Sequence, residues 1–113
     1  MPSCSPALPY PLRTRTANLL TRELERLDDT LDEAVSRAGQ GEDPRFARRA
    51  GAHLRRLADY LDADAYAAAE QALEDARRLL DAAEPAAPLL MLEHSRARFA
   101  DTLRRMRRLH QAA

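Results

Sequence analysis

The chain has 113 residues, the size of a single domain with a modest hydrophobic core. Its 18 basic and 18 acidic residues give a formal net charge of zero, which argues against a general nucleic-acid-binding protein. A single cysteine excludes an intrachain disulfide, so a cytoplasmic protein is expected.

Every basic residue is arginine and none is lysine. Together with the high alanine content, this is typical of proteins from GC-rich bacterial genomes, so we expect a bacterial protein. The N-terminus has neither a basic start nor a long apolar run, and no apolar stretch reaches about 18 residues. Neither a secretion signal nor a membrane-spanning helix is therefore predicted.

Four prolines fall within the first dozen residues. Because proline fixes the backbone and cannot donate a hydrogen bond, residues 1–13 are predicted to form an extended or disordered tail. The remaining residues, 14–113, are predicted to form the folded domain.

Four segments in that domain carry apolar residues at spacings of three and four, the pattern of helices with one face toward a core. No segment alternates apolar and polar residues as a half-buried strand does. The predicted helices span residues 17–38, 44–61, 62–84 and 85–113, and their breaks fall near residues 39–43, 62–64 and 84–88. The candidate N-caps are Thr14 or Thr16 for the first helix, Asp43 for the second, and Asp62 or Asp64 for the third.

Charge alternates along these four helices. The first and third are mainly acidic, and the second and fourth are mainly basic. In an up-down antiparallel four-helix bundle each helix lies beside two helices of opposite charge, so this pattern favours that all-α fold. Each exposed pair contributes only about 0–1 kcal/mol, so the charges select the arrangement more than they stabilise it.

The segment from Asp43 to Asp75 resembles a known family. It contains an Asp-Pro start, a basic helix with one histidine, a break at Leu61-Asp62-Ala63 and an alanine-rich acidic helix. This order is similar to the core of the histidine-containing phosphotransfer (HPt) domain, a helical bundle that carries a phosphoryl group on a surface histidine. The family pattern is His-x-Leu-Lys-Gly followed by a Leu-Gly-Ala turn, and here Leu54-Arg55-Arg56 stands in place of Leu-Lys-Gly.

Two registers align the histidine with that pattern. If Leu54-Arg55-Arg56 takes the family positions, Ala52 occupies the histidine position and His53 is its neighbour. If His53 occupies it, Arg56 lies one helical turn away, where a cation can steady a phosphoryl group. The resemblance thus implies that His53 is the candidate phosphoacceptor.

The predicted orientation of His53 leaves its role open. His53 lies about 60° from the centre of the apolar stripe on a helical wheel, at an edge where a histidine is more often packed than reactive. An exposed His53 among exposed arginines favours signalling, whereas a buried His53 with an open apolar groove elsewhere favours an adaptor. The stripe consists of Phe46, Ala50, Leu54, Leu57 and Leu61.

A basic face surrounds His53 on the second predicted helix. Guanidinium groups pair well with carboxylates, so this face is predicted to meet an acidic protein surface, such as the receiver domain of a response regulator. Alternatively, its arginines pair with the acidic helices of their own bundle. Arg45 belongs to this face, and the predicted partner-binding residues are Arg48, Arg49, Arg55 and Arg56.

Other kinds of site are not predicted. The three histidines form no Glu-x-x-His or His-x-x-x-His pair, so neither a metal nor another cofactor is expected. The arginines at 104–108 suit the negative end of a helix dipole and lack aromatic neighbours, so they predict no nucleic-acid site.

The sequence favours a non-enzymatic bacterial module that binds another protein. The favoured form is an HPt-like signalling domain, with phosphotransfer either kept or lost. The alternative is a helical adaptor or secretion-type chaperone without catalytic activity. A third form is a structural subunit that dimerises through the first and fourth helices.

Overall fold

The computed structural model describes the backbone of residues 10–112 and the side chains of residues 14–109. It contains four helices, α1 (Tyr10–Ser36), α2 (Pro44–Leu57), α3 (Ala63–Leu80) and α4 (Ala86–Ala112), and no strand occurs in this range. The predicted all-α, four-helix fold is confirmed.

The start of α1 differs from the prediction. The helix begins at Tyr10, so residues 10–13 are helical rather than part of an extended tail, and Thr14 and Thr16 lie inside the helix instead of capping it. Pro11 is compatible with this start because the first helical turn does not need its missing N–H group. The rest of the predicted tail, residues 1–9, lies outside the described residues.

Two predicted caps are present. The side chain of Asp43 accepts a hydrogen bond from the backbone N–H of Arg45 at 2.9 Å, and Asp62 accepts one from Ala65 N–H at 2.9 Å. Each cap satisfies an N–H group that has no partner within its own helix. Asp62, rather than Asp64, is thus the cap of α3, while α2 ends at Leu57, four residues before its predicted end.

Helix α3 lies at the centre of the packing and contacts each of the other three helices. Its core face is lined with alanine, and Ala65, Ala69, Ala72 and Ala76 are fully buried. Such small side chains let the neighbouring helices approach closely, most of all α4. The larger fully buried side chains that fill the remaining space are Leu27, Leu31, Leu57, Leu79 and Leu92.

The loop between α1 and α2 closes the C-terminal end of α3. Gly39 N–H donates to Leu79 C=O at 3.0 Å, and Gly41 N–H donates to Leu80 C=O at 2.7 Å. Both glycines have positive φ angles, 79° and 104°, which residues with a Cβ rarely adopt. At Gly39 a Cβ would also lie only 3.1 Å from the carbonyl oxygen of Ala82, so a side chain does not fit there without movement.

The side of the bundle between α1 and α4 is less closely packed. Helix α4 packs chiefly on α3, and Arg96 bridges to α1 by pairing with Asp28 and, at 2.9 Å, with Asp32. Partial burial opposes the charged form of Arg96, yet its hydrogen bonds to these two carboxylates raise its pKa above the ordinary value. Beside this bridge α1 and α4 border a groove of about 330 Å³.

Candidate functional site

A buried polar network joins α1 to α2 around the histidine. His53 Nδ1 lies 2.6 Å from Glu23 Oε2, and His53 Nε2 lies 2.8 Å from Thr30 Oγ1. All three residues are at most 5% exposed. The network is therefore part of the interior between the two helices rather than of the surface.

Helix geometry explains why these residues meet. Glu23 and Thr30 are seven residues apart on α1, close to two full turns, so their side chains project from the same face. His53 projects toward that face from α2 and fits between them. Thr30 Oγ1 also lies 3.1 Å from the carbonyl oxygen of Arg26, the preceding-turn contact common for threonine in helices.

The hydrogen bonds occupy both ring nitrogens. The Thr30 hydroxyl has one hydrogen, which it donates either to the Arg26 carbonyl or to His53 Nε2. In the first case Nε2 must itself carry a hydrogen and donate it to Thr30, and in the second case it accepts. In both cases Nδ1 faces the Glu23 carboxyl group. Neither nitrogen has a lone pair available to an outside group.

This geometry bears on the predicted phosphoacceptor. A histidine that receives a phosphoryl group needs an unprotonated ring nitrogen open to the donor protein. His53 is buried, and both of its nitrogens are engaged within the bundle. Ala52, which takes the histidine position in the other register, is half-buried and carries no nucleophile. The environment of residue 53 is thus the one that favours an adaptor.

The order of groups in the network, carboxylate, imidazole and hydroxyl, is also that of a nucleophile triad. A cavity of about 320 Å³ borders Thr30 and His53. However, Thr30 lies in the middle of α1, where the backbone N–H groups are bonded within the helix and cannot stabilise an oxyanion. We therefore interpret the network as an interhelical contact.

The predicted arginine face lies on the solvent side of α2. Arg48, Arg49, Arg55 and Arg56 are all exposed, as is Arg45. Two of them turn toward α1, because Arg49 pairs with Glu33 and Arg56 Nη1 lies 3.7 Å from Glu23 Oε1. The other three, Arg45, Arg48 and Arg55, form no ion pair with any residue in the described part of the chain. Two arginines of the face thus pair within the bundle, and three remain available to an acidic protein surface.

A groove of about 570 Å³ runs between α2 and α3, beside the arginine face. Its α3 wall carries Glu74, and hydrogen bonding from Arg77 holds the pKa of Glu74 below its ordinary value. Ala67 is exposed on the same wall. The apolar side chains that line the groove include Phe46, Ala50, Leu54 and Leu73.

Neither Glu23 nor Thr30 was predicted as a site residue. Both are polar, and polar residues on an amphipathic helix normally belong to its solvent face. The sequence held one indication that they face the interior. Glu23 and Thr30 are seven residues apart, so they lie on the same helix face, and each directly precedes an apolar position, Leu24 or Leu31. Only the pairing of α1 with α2 shows that the opposite residue is the histidine.

Comparison with protein families, with curated proteins and with solved structures found no match to this chain. Among residues 10–112, none of the helices has both the length and the apolar composition needed to cross a bilayer. Among residues 14–109, whose side chains the structure describes, His, Cys, Asp and Glu form no group of three or more that could hold a metal ion.

Proposed function

We propose that this chain is a non-catalytic helical module that binds an acidic protein surface through α2. The observation that carries the proposal is the set of three exposed arginines, Arg45, Arg48 and Arg55, without carboxylate partners among the described residues. Guanidinium groups form strong, directional pairs with carboxylates, and exposed like charges on one helix face are relieved by an acidic partner.

A receiver domain of a response regulator is one partner class that fits the HPt-like order of the sequence. Under this proposal the chain keeps the docking helix of such a module but not its phosphotransfer, because His53 serves to hold α1 against α2. The adaptor or chaperone alternative is supported by two features together, the burial of His53 and the apolar lining of the α2–α3 groove.

The loss of phosphotransfer has an expected spectroscopic signature. A ring N–H proton of His53 should exchange slowly with solvent in NMR spectra of the full chain, because both ring nitrogens are hydrogen-bonded within the bundle. Incubation with phosphorylated receiver domains should place no acid-labile phosphate on the protein. A phosphate that is acid-labile, base-stable and absent from His53→Gln would contradict this expectation.

Docking on the arginine face is tested by charge reversal. Once a pull-down from the native host has provided the partner, Arg48→Glu/Arg55→Glu should raise the dissociation constant about tenfold or more, and the loss should shrink at high salt. Arg98→Glu/Arg105→Glu changes the net charge equally on exposed positions of α4 and should bind normally. Equal losses from both pairs would contradict docking on α2.

The groove alternative has a separate test. Ala67→Arg places a long side chain across the α2–α3 groove from an exposed position, so the fold should be unaffected. Isothermal titration with the same partner should show little change if the arginine face docks it. A loss with Ala67→Arg, combined with normal binding by Arg48→Glu/Arg55→Glu, would instead support an adaptor that holds its partner in the groove.

A further inference from the structure

The groove between α1 and α4 leaves apolar core residues accessible. Leu24 on α1 and Leu103 on α4 are only partly buried, while Leu27 and Phe99 beneath them are buried. Covering such residues with a second surface removes their apolar area from water and so stabilises the assembly. The seam is thus incomplete as a core in the single chain.

The two walls of this groove carry opposite charges. Glu25 and Asp28 stand on the α1 wall, and Arg96 and Arg107 stand on the α4 wall. Asp28 and Arg96 pair with each other, whereas Glu25 and Arg107 form no ion pair within the described part of the chain. One acidic and one basic side chain therefore remain available at the border of the groove.

We propose that a second copy of this chain covers the groove. The two copies would meet groove to groove about a twofold axis parallel to the helices, so that α1 of each copy lies against α4 of the other. Leu24 and Leu103 of both copies then share one apolar seam, and Glu25 of each copy pairs with Arg107 of the other.

The charges discriminate between the two possible twofold arrangements. An axis parallel to the helices places each acidic α1 wall opposite a basic α4 wall. An axis across the helices would place α1 against α1, so that Glu25 and Asp28 would face their own copies and repel them. Opposite charges thus favour the first arrangement, and like charges disfavour the second.

This assembly is independent of the proposed docking on α2. Helix α2 packs on α1 and α3 and contributes no residue to the α1–α4 groove. Its arginine face would remain exposed in the dimer. The two proposals can consequently fail separately, because one is measured by binding to another protein and the other by self-association.

Sedimentation equilibrium of the full chain tests the proposal. The wild-type protein should show a monomer–dimer equilibrium, and Glu25→Arg or Arg107→Glu alone should each raise the dimer dissociation constant about tenfold or more. The double variant Glu25→Arg/Arg107→Glu should restore wild-type association, because each copy then presents the exchanged pair. An equimolar mixture of the two single variants should form heterodimers in which both pairs are attractive.

Arg98→Glu is the matched control. It lies nine residues from Arg107, which is two and a half turns, and therefore projects from the opposite side of α4. It should leave self-association unchanged. A wild-type chain that stays monomeric up to millimolar concentration would overturn the proposal. So would a double variant that associates no better than the single variants, or an equal loss with Arg98→Glu. Circular dichroism should show the helix content of the wild-type protein for every variant, so that a loss of association is not caused by unfolding.

Discussion

Leu57→Ala is expected to lower the free energy of unfolding by about 2–5 kcal/mol. Leu57 is fully buried in the last turn of α2. Removing most of its side chain therefore loses its apolar burial and leaves a cavity that the surrounding helices fill only partly. Urea denaturation followed by circular dichroism measures the change, provided that the transition remains two-state.

Leu90→Ala is the matched control, because it deletes the same atoms from a side chain that is 67% exposed. It should change the free energy of unfolding by no more than about 0.5 kcal/mol. Comparable losses from the two variants would contradict the position of the core. Leu27→Ala, at an equally buried position on α1, should behave like Leu57→Ala.

His53→Ala is expected to cost about 3–5 kcal/mol, more than its apolar volume alone explains. The substitution leaves the buried Glu23 carboxyl group without its 2.6 Å partner and removes the contact to Thr30. A buried polar group that loses its hydrogen bond retains the cost of its desolvation. The guanidinium groups of Arg26 and Arg56, 3.6 and 3.7 Å from Glu23, compensate only weakly because both are exposed.

A double-mutant cycle separates this cost from simple loss of packing. Glu23→Leu and His53→Leu should each destabilise the bundle, whereas the double variant should lose less than the sum of the two, because no unpaired charge remains in the interior. The same urea measurements give the coupling. Additive losses would show that Glu23 and His53 contribute separately and would contradict the network as a unit.

The periodicity of apolar residues was sufficient to predict the helices and most of their core positions. Phe46 and Leu57 were placed in the apolar stripe of the second predicted helix, and both are buried. The end of α2 was less predictable. Leu61 is buried, as its spacing indicated, but it lies in the turn after α2 and not in the helix. A residue in a turn can contribute a core side chain at the same spacing as a helical residue, so the spacing alone does not show where the helix ends.

The site was predicted in part. The sequence indicated that His53 stands at the edge of the core stripe and that arginines surround it, whereas the structure buries His53 between α1 and α2, with the arginines exposed around it. It could not indicate which arginines pair within the bundle. That choice depends on the positions of Glu23 and Glu33 on α1, and therefore on how two helices separated in sequence are aligned.

The hydrogen bonds from Gly39 and Gly41 to the end of α3 have a consequence for the order of folding. They join the loop between α1 and α2 to the end of a helix about 40 residues further along the chain, so they can form only after α3 has docked on α1 and α2. Amide hydrogen exchange at these two glycines should thus be slow only in the fully assembled bundle. Exchange at these glycines would report separation of the α1–α2 loop from α3 earlier than exchange within α3 itself, because the amides of α3 are protected by hydrogen bonds within the helix.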